Sequence, residues 1–260
     1  MTIFEAAVLG VVQGLTEFLP VSSSGHLVLA QKVFSLSGDY LTFDVMLHFA
    51  TLLAVVVVLW KDIVEIIKHP FQKLTLNLII ASIPAVILAV FFEDAITAAF
   101  GGQFLAISFC ITGVVLLLGE WLAAKKTQTK TEVGYWDALI IGLCQAVALL
   151  PGVSRSGMTL SGGLARGIDR VKTAKFSFLM SVIIILGSGG YEGLKLIGQP
   201  MDIAWAPLAV GMLAAVVSGF FAARGLLKLI SNKKLTGFAI YVFVLAALIF
   251  VDQTWTHLFF

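Results

Sequence analysis

Two short segments hold most of the side chains in this sequence that could do chemistry. The first, QGLTEFLPVSSSGH (13–26), supplies a carboxylate, Glu17, three consecutive hydroxyls, Ser22, Ser23 and Ser24, and an imidazole, His26. The second, PGVSRSGMT (151–159), supplies Ser154, Arg155, Ser156 and Thr159. Brought together, they would place one acid, one base, one fixed cation and several hydroxyls in a single pocket. That set suits phosphate chemistry. Arginine offers a planar fork of donors matched to phosphate oxygens and stays charged. Gly- and Ser-rich turns ahead of a helix let backbone N–H groups face an anion. A hydroxyl beside an imidazole is a candidate nucleophile with its base. Glu17 either binds a divalent cation that bridges phosphate oxygens or orients the histidine.

Plainer readings stand beside these. Ser22, Ser24, Ser156 and Thr159 also suit helix caps or freed backbone groups near a Pro/Gly break. Arg155 and Glu17 also suit a structural ion pair, and His26 a bond to a carbonyl. Gln13 and Gln145 fit as glue between helices. Asp44 and His48 open an apolar run, where solvation accounts for them. Glu93, Asp94, Glu120, Glu192 and Asp202 fall at the ends of apolar runs and read as solvated. Cys110 and Cys144 lie in apolar runs with no metal-binding spacing and read as space-filling.

The elements that must position these residues are membrane helices. The 260-residue chain is 59% hydrophobic and 12% charged, with a mean hydropathy of +1.02. Soluble domains carry about 25% charged residues. Six runs are long and apolar enough to span a bilayer: roughly 43–60, 74–92, 104–122, 176–194, 205–223 and 236–252. Two further apolar stretches, 3–35 and 136–168, are interrupted by LPVSSSG and LPGVSRSG. Proline and glycine make both breaks non-helical, and irregular backbone at membrane depth needs protein or a wet cavity around it. The simplest expectation is two re-entrant helix–loop–helix hairpins, with a pair of kinked spans as the alternative. Trp60, Trp121, Trp136, Trp205 and Trp255 fall near span ends and read as interfacial belts. A net charge of +2, with no basic stripe interleaved with aromatics, gives no sign of nucleic-acid binding. MTIFEAAVLG lacks a charged n-region and a small-residue cleavage site, and reads as mature protein.

The two interrupted stretches also match each other. Residues 8–25 align without a gap to 140–157, pairing Gly10, Gln13, Val21, Ser22, Ser24 and Gly25 with Gly142, Gln145, Val153, Ser154, Ser156 and Gly157. Each break is followed by three spans. The fold expected is therefore an all-α integral membrane protein built as an inverted repeat: a first repeat over 1–122, a cytoplasmic linker over 123–134 and a second repeat over 135–260. In this topology fourteen of the seventeen basic residues fall on one side, Lys32 and Lys195 on the other, and Arg155 within the second break. The positive-inside rule makes the basic side cytoplasmic, with both termini facing outward. The first hairpin then enters from outside and the second from the cytoplasm, their tips meeting within the bilayer.

QGLTEFLPVSSSGH and PGVSRSGMT closely resemble the two signature motifs of the BacA/UppP family of undecaprenyl-diphosphate phosphatases, and the resemblance extends over nearly the whole chain. It implies a multi-pass hydrolase of the bacterial inner membrane. Such an enzyme converts undecaprenyl diphosphate to the monophosphate, recycling the lipid carrier for peptidoglycan and other envelope polymers, and is associated with bacitracin resistance. It also implies the fold of paired hairpins and a divalent cation, Mg²⁺ or Ca²⁺. Carried over, Glu17 is the acid of the first motif, Ser23 the nucleophile, and His26 the general base or acid. Arg155 is the phosphate-binding arginine, with Ser22, Ser24, Ser154, Ser156 and Thr159 as supporting donors. Glu17 and Gln13 would be the metal ligands, although Gln13 stands where the motif also admits glutamate, so one carboxylate remains for the ion. The rival expectation from another class is a transporter or flippase of a polyprenyl phosphate lipid. A homodimer is compatible with the sequence.

Overall fold

A computed structural model describes residues 1–36, 40–92, 96, 98, 102–126, 130–195 and 204–260, without the side chains of 192–195. Glu93, Asp94 and Asp202, and the side chains of Glu192 and Lys195, lie outside the described residues. Among the described residues the chain forms eleven α-helices and no strand. They are α1 (Ile3–Phe18), α2 (Ser23–Val33), α3 (Leu41–Val58), α4 (Trp60–Lys68), α5 (Lys73–Phe91), α6 (Leu105–Ala124), α7 (Tyr135–Val147), α8 (Arg155–Ala165), α9 (Arg170–Lys195), α10 (Trp205–Ile230) and α11 (Thr236–Val251). A short π-helical turn, Asp252–Thr256, extends α11.

Six of these are long and apolar enough to cross a membrane: α3, α5, α6, α9, α10 and α11 with its extension. They coincide with the six spans expected from hydropathy. Their outward residues are apolar, among them Leu53, Val57, Val86, Leu213, Val244 and Phe250. Such a surface suits a lipid solvent. All five tryptophans are exposed, at or near helix ends.

The remaining long helices fold back on themselves in pairs. The ring of Phe4, at the start of α1, lies 6.5 Å from that of Phe34, just past the end of α2. Arg166, just past the end of α8, donates through Nε to Asp137 Oδ1 at 2.6 Å, near the start of α7. Each pair is thus a helical hairpin. With 16 and 13 residues, α1 and α7 are about 24 and 20 Å long at 1.5 Å per residue, short of a hydrocarbon core of about 30 Å. Both begin with the same device. Thr2 N donates to Glu5 at 2.7 Å, and Gly134 N donates to Asp137 at 3.3 Å, so an acid three residues on returns to the cap.

The hairpins dock through close backbone contact. A side chain at Gly10 of α1 would put its Cβ 2.1 Å from the Gly211 carbonyl oxygen of α10. One at Gly142 of α7 would sit 2.4 Å from the Ala81 carbonyl oxygen of α5. Glycine at these two positions is what lets the helices meet, as small residues do where helices associate in membranes.

Polar loops gather in two groups joined by the spans. One contains Glu120, which accepts from Arg170 through both oxygens at 2.8 and 2.6 Å and from Leu235 N at 2.7 Å. It also contains Asp137 with Lys130 and Arg166, Lys73 with Glu132, and Lys175 with Asp62. Glu120 and Asp137 are therefore paired and buried rather than solvated. The other group holds Gln31 with Asp44, Lys32 over the Phe260 ring, and Gln253 on the Gly102 carbonyl. Asp44 stands near the start of α3 and Asp62 just beyond its end, in α4, and the 18 residues of α3 measure about 27 Å.

Candidate functional site

The hairpin tips are built by residues that break helices. Leu19, ahead of Pro20, is extended, and Val21 N donates back to the Leu19 carbonyl at 2.8 Å. At the second tip Val153 N donates to Leu150 O at 3.1 Å, with Pro151 and Gly152 between and Gly152 at φ +86°. Proline then glycine with positive φ is the signature of a type II turn. Ser22 takes φ +72°, a conformation that costs a non-glycine residue about 1–3 kcal/mol.

The two tips then repeat the same bonds. Ser22 Oγ accepts from Gly25 N at 3.2 Å, and Ser154 Oγ accepts from Gly157 N at 3.0 Å. Ser22 O accepts from His26 N at 3.2 Å, and Ser154 O accepts from Met158 N at 2.9 Å. Hydroxyls two residues apart meet in both, Ser22 with Ser24 at 3.5 Å and Ser154 with Ser156 at 3.3 Å. Each tip is therefore a serine-capped helix N-terminus.

The tips touch. Ser156 Oγ donates to the Leu19 carbonyl at 2.9 Å, Gly152 N donates to Ser24 Oγ at 3.4 Å, and a Cβ at Gly25 would lie 3.0 Å from Gly152 Cα. Behind them, Thr112 of α6 accepts from Ser154 N at 2.9 Å. Thr159 Oγ1 meets Ser177 Oγ of α9 at 2.6 Å.

Glu17 is where the two tips exchange charge. Arg155 Nη2 donates to Glu17 Oε1 at 2.5 Å, and Arg155 Nη1 donates to the Ser177 carbonyl at 3.2 Å. Glu17 Oε2 accepts from Ser23 Oγ at 2.6 Å and from Gln13 Nε2 at 3.1 Å. His48 Nε2, from α3, lies 3.6 Å from the same oxygen. The Glu17 side chain is 5% exposed and Arg155 17%, while His48 is 30% exposed. The site thus lies where α1, α2, α3 and α8 meet, and of Glu17, Arg155 and His48 the last is the most exposed.

At two points the structure shows contacts other than those expected. Ser23 does not pair with His26. The imidazole Nδ1 is 2.7 Å from the Ser22 carbonyl, which can only accept, so Nδ1 carries the proton. Nε2 is 2.8 Å from the Tyr241 hydroxyl of α11. The Ser22 carbonyl points along α2 at this ring, and the group that accepts from Ser23 is Glu17. The second concerns the supporting donors. Ser22, Ser154, Ser156 and Thr159 are all buried and bonded within the protein, where they brace the tips. Among the polar residues of the two motifs, Ser23, Ser24 and Arg155 are left partly open.

His48, Tyr241 and Ser177 complete the site but lie outside both motifs. His48 carried a signal, an imidazole in an apolar run; Tyr241 and Ser177 carried none that local pattern reveals. Among the described residues no three His, Cys, Asp or Glu side chains form a metal-binding group. Gln13 Oε1, however, is buried beside Glu17 with no partner.

Fold and site together define a multi-span α-helical membrane protein with a carboxylate–hydroxyl–guanidinium cluster at the junction of two helical hairpins. Comparison with known proteins gives this class a family. The chain matches the model of the family described as bacitracin resistance protein BacA over residues 6–248, and it belongs to that family. It is 42% identical over 258 residues to an undecaprenyl-diphosphatase of Carboxydothermus hydrogenoformans, covering 97% of this chain and 98% of the relative. It is 45% identical over 264 residues to one of Christiangramia forsetii, covering 96% and 98%. A third, of Halothermothrix orenii, is 38% identical over 255 residues, covering 96% and 98%.

Proposed function

We propose that this protein hydrolyses undecaprenyl diphosphate to undecaprenyl phosphate and inorganic phosphate, recycling the lipid carrier for peptidoglycan and other envelope polymers and conferring bacitracin resistance. The observation that carries the chemistry is the Ser23 hydroxyl, bonded to a buried carboxylate that is itself paired with Arg155. Family membership and the relatives' activity support the substrate.

On binding, the diphosphate competes with Glu17 for Arg155, whose fork suits phosphoryl oxygens. Ser23 Oγ attacks the terminal phosphorus, and its proton passes to Glu17 Oε2, already 2.6 Å away. The bridging P–O bond breaks and undecaprenyl phosphate leaves. Water then hydrolyses the phosphoserine and releases inorganic phosphate. Backbone N–H groups at the starts of α2 and α8, with Arg155, stabilise charge on the phosphoryl oxygens.

The cluster's fixed charges, Glu17 and Arg155, cancel, so the diphosphate brings uncompensated negative charge. A divalent cation, Mg²⁺ or Ca²⁺, would neutralise it, and Glu17 and the unpartnered Gln13 Oε1 are the residues that would hold it. We further read the hairpins as re-entrant segments of an inverted repeat, with the linker and basic loops cytoplasmic and the termini and the pocket's mouth outward. The repeated caps, the repeated tip bonds and the gathering of basic loops in one group support this.

The same paired architecture is found in transporters, which keeps lipid translocation as the second reading. Purified protein in detergent with undecaprenyl diphosphate separates the two. Release of phosphate that chelation slows and Arg155→Ala abolishes supports hydrolysis. No release, with labelled lipid crossing a vesicle bilayer, supports translocation.

A further inference from the structure

We propose that Ser177 is a positioning residue that holds the Arg155 guanidinium in place while the substrate takes over from Glu17. The inference rests on the phosphatase reading above and goes beyond its motif residues. Arg155 Nη2 donates to Glu17 Oε1 at 2.5 Å, and Arg155 Nη1 donates to the Ser177 carbonyl at 3.2 Å. The proposed reaction draws the Nη2 edge off the carboxylate and onto phosphate. The Ser177 bond sits on the other nitrogen, so it persists through that exchange. Together with the side chain's own tether to α8, it sets the plane in which the remaining donors of the fork meet the diphosphate.

The Ser177 side chain keeps that carbonyl where it is. Thr159 Oγ1 lies 3.0 Å from the Arg155 carbonyl and 3.2 Å from that of Ser156, both of which only accept, so its single proton points back along α8. Ser177 Oγ is then the donor in the 2.6 Å bond between the two hydroxyls. Ser177 thus holds Arg155 twice, at the guanidinium through its carbonyl and at the main chain by way of Thr159. The bond belongs to a regular series. A Cβ at Gly163 would lie 2.4 Å from Thr173 Cγ2, so α8 and α9 meet at Gly163 with Thr173 and, one turn away, at Thr159 with Ser177. Thr173, Ser177 and Ser181 follow at every fourth residue on one face of α9, and all are buried. The next turn brings Arg155 level with Ser181, whose hydroxyl is turned to the Phe178 carbonyl at 2.6 Å. Contacts outside the tips fix α9 itself, Arg170 on Glu120 and Lys175 on Asp62. The tips can therefore exchange bonds with the substrate while the Ser177 carbonyl stays in place.

Phosphate release by the purified protein tests this with Ser177→Ala and Thr159→Val, which delete the same bond from its two sides, and with both together. Loss of a hydrogen bond between neutral groups corresponds to roughly a 3- to 10-fold effect. Each single variant should lower kcat/KM by about that factor and raise the inhibition constant of inorganic phosphate to a similar extent, because Arg155 binds both ligands. The double variant should match either single one within about twofold, since the bond is already lost in each. A role in packing alone would lower the thermal midpoint and leave the phosphate inhibition constant unchanged, and that result overturns the inference. Losses that multiply in the double variant also overturn it. Should Ser177→Ala be poorly folded, Thr159→Val reads the same bond with side-chain volume kept. A wild-type protein that releases no phosphate overturns the phosphatase reading and this inference with it, whereas an active wild type whose phosphate inhibition Ser177→Ala leaves unchanged overturns the inference alone.

Discussion

Replacing Glu17 by Gln and Arg155 by Met, singly and together, asks whether the pair that joins the tips is an energetic unit. The charges are in contact, one side chain 5% and the other 17% exposed. At a charge separation of about 4 Å and an effective dielectric of about 20, the attraction is about 4 kcal/mol. Partial exposure of Arg155 brings the expected coupling to about 2–3 kcal/mol. Each single substitution also strands the other group away from water, which raises its cost to about 3 kcal/mol. For a chain of this size 1 kcal/mol moves the thermal midpoint by about 2–4 °C, so each single variant should melt about 6–12 °C lower. The double variant strands neither group and should melt close to either single one. The assay is thermal unfolding in detergent of all four proteins, with phosphate release measured in parallel. Additive losses, the double falling by the sum of the two, would refute the pairing, since independent sites add and coupled ones do not.

Other outcomes follow from the same geometry. Gly25→Val should cost about 1–3 kcal/mol, because its Cβ would meet Phe109 at 2.8 Å and Gly152 at 3.0 Å, whereas Gly187→Ala, with open space around it, should leave the midpoint unchanged. His26→Ala should lower thermal midpoint and activity together, since the ring holds the Ser22 carbonyl, and Tyr241→Phe should reproduce part of both; loss of activity at an unchanged midpoint would return His26 to the chemistry. In a background lacking Cys110 and Cys144, Thr254→Cys should react with an impermeant maleimide on spheroplasts and Lys126→Cys only after lysis; the reverse pattern would invert the proposed orientation.

The spans were legible because a bilayer demands about twenty apolar residues in a row, and the breaks because Pro20, Pro151 and Gly152 cannot continue a helix. The correspondence of the hairpins was legible too, since Gly10, Gln13, Ser22 and Gly25 recur 132 positions later as Gly142, Gln145, Ser154 and Gly157. The structure gives that repeat its meaning. Positions that match are the ones that build: the close-contact glycine, the cap and the tip turn. Positions that differ hold the charged cluster and the groups around it. Glu17 faces Leu149 in the alignment, Ser23 faces Arg155, and His26 faces Met158. One hairpin brings the carboxylate and the hydroxyl bonded to it, and the other brings the guanidinium.

What local pattern could not supply was partnership across helices. Ser23 and His26 share a face of α2, which suggests a pair. The bond that forms is instead set by the bend at Leu19–Ser22, which carries Ser23 back over Glu17. His48 and Tyr241 sit in spans whose facing is decided by helix packing alone. Glu120 reads as a solvated end, yet it is buried by Arg170, a basic residue fifty positions on.

The central claim is that Ser23, with its proton on Glu17 and its phosphate on Arg155, carries the reaction. It is tested most directly by rapid quenching of purified protein with undecaprenyl diphosphate labelled in the terminal phosphate, followed by mapping of the labelled peptide. The account predicts label on Ser23 in the wild type, no label and no phosphate release in Ser23→Ala, and burst labelling slowed at least about 100-fold in Arg155→Ala. Undiminished phosphate release by Ser23→Ala would contradict it.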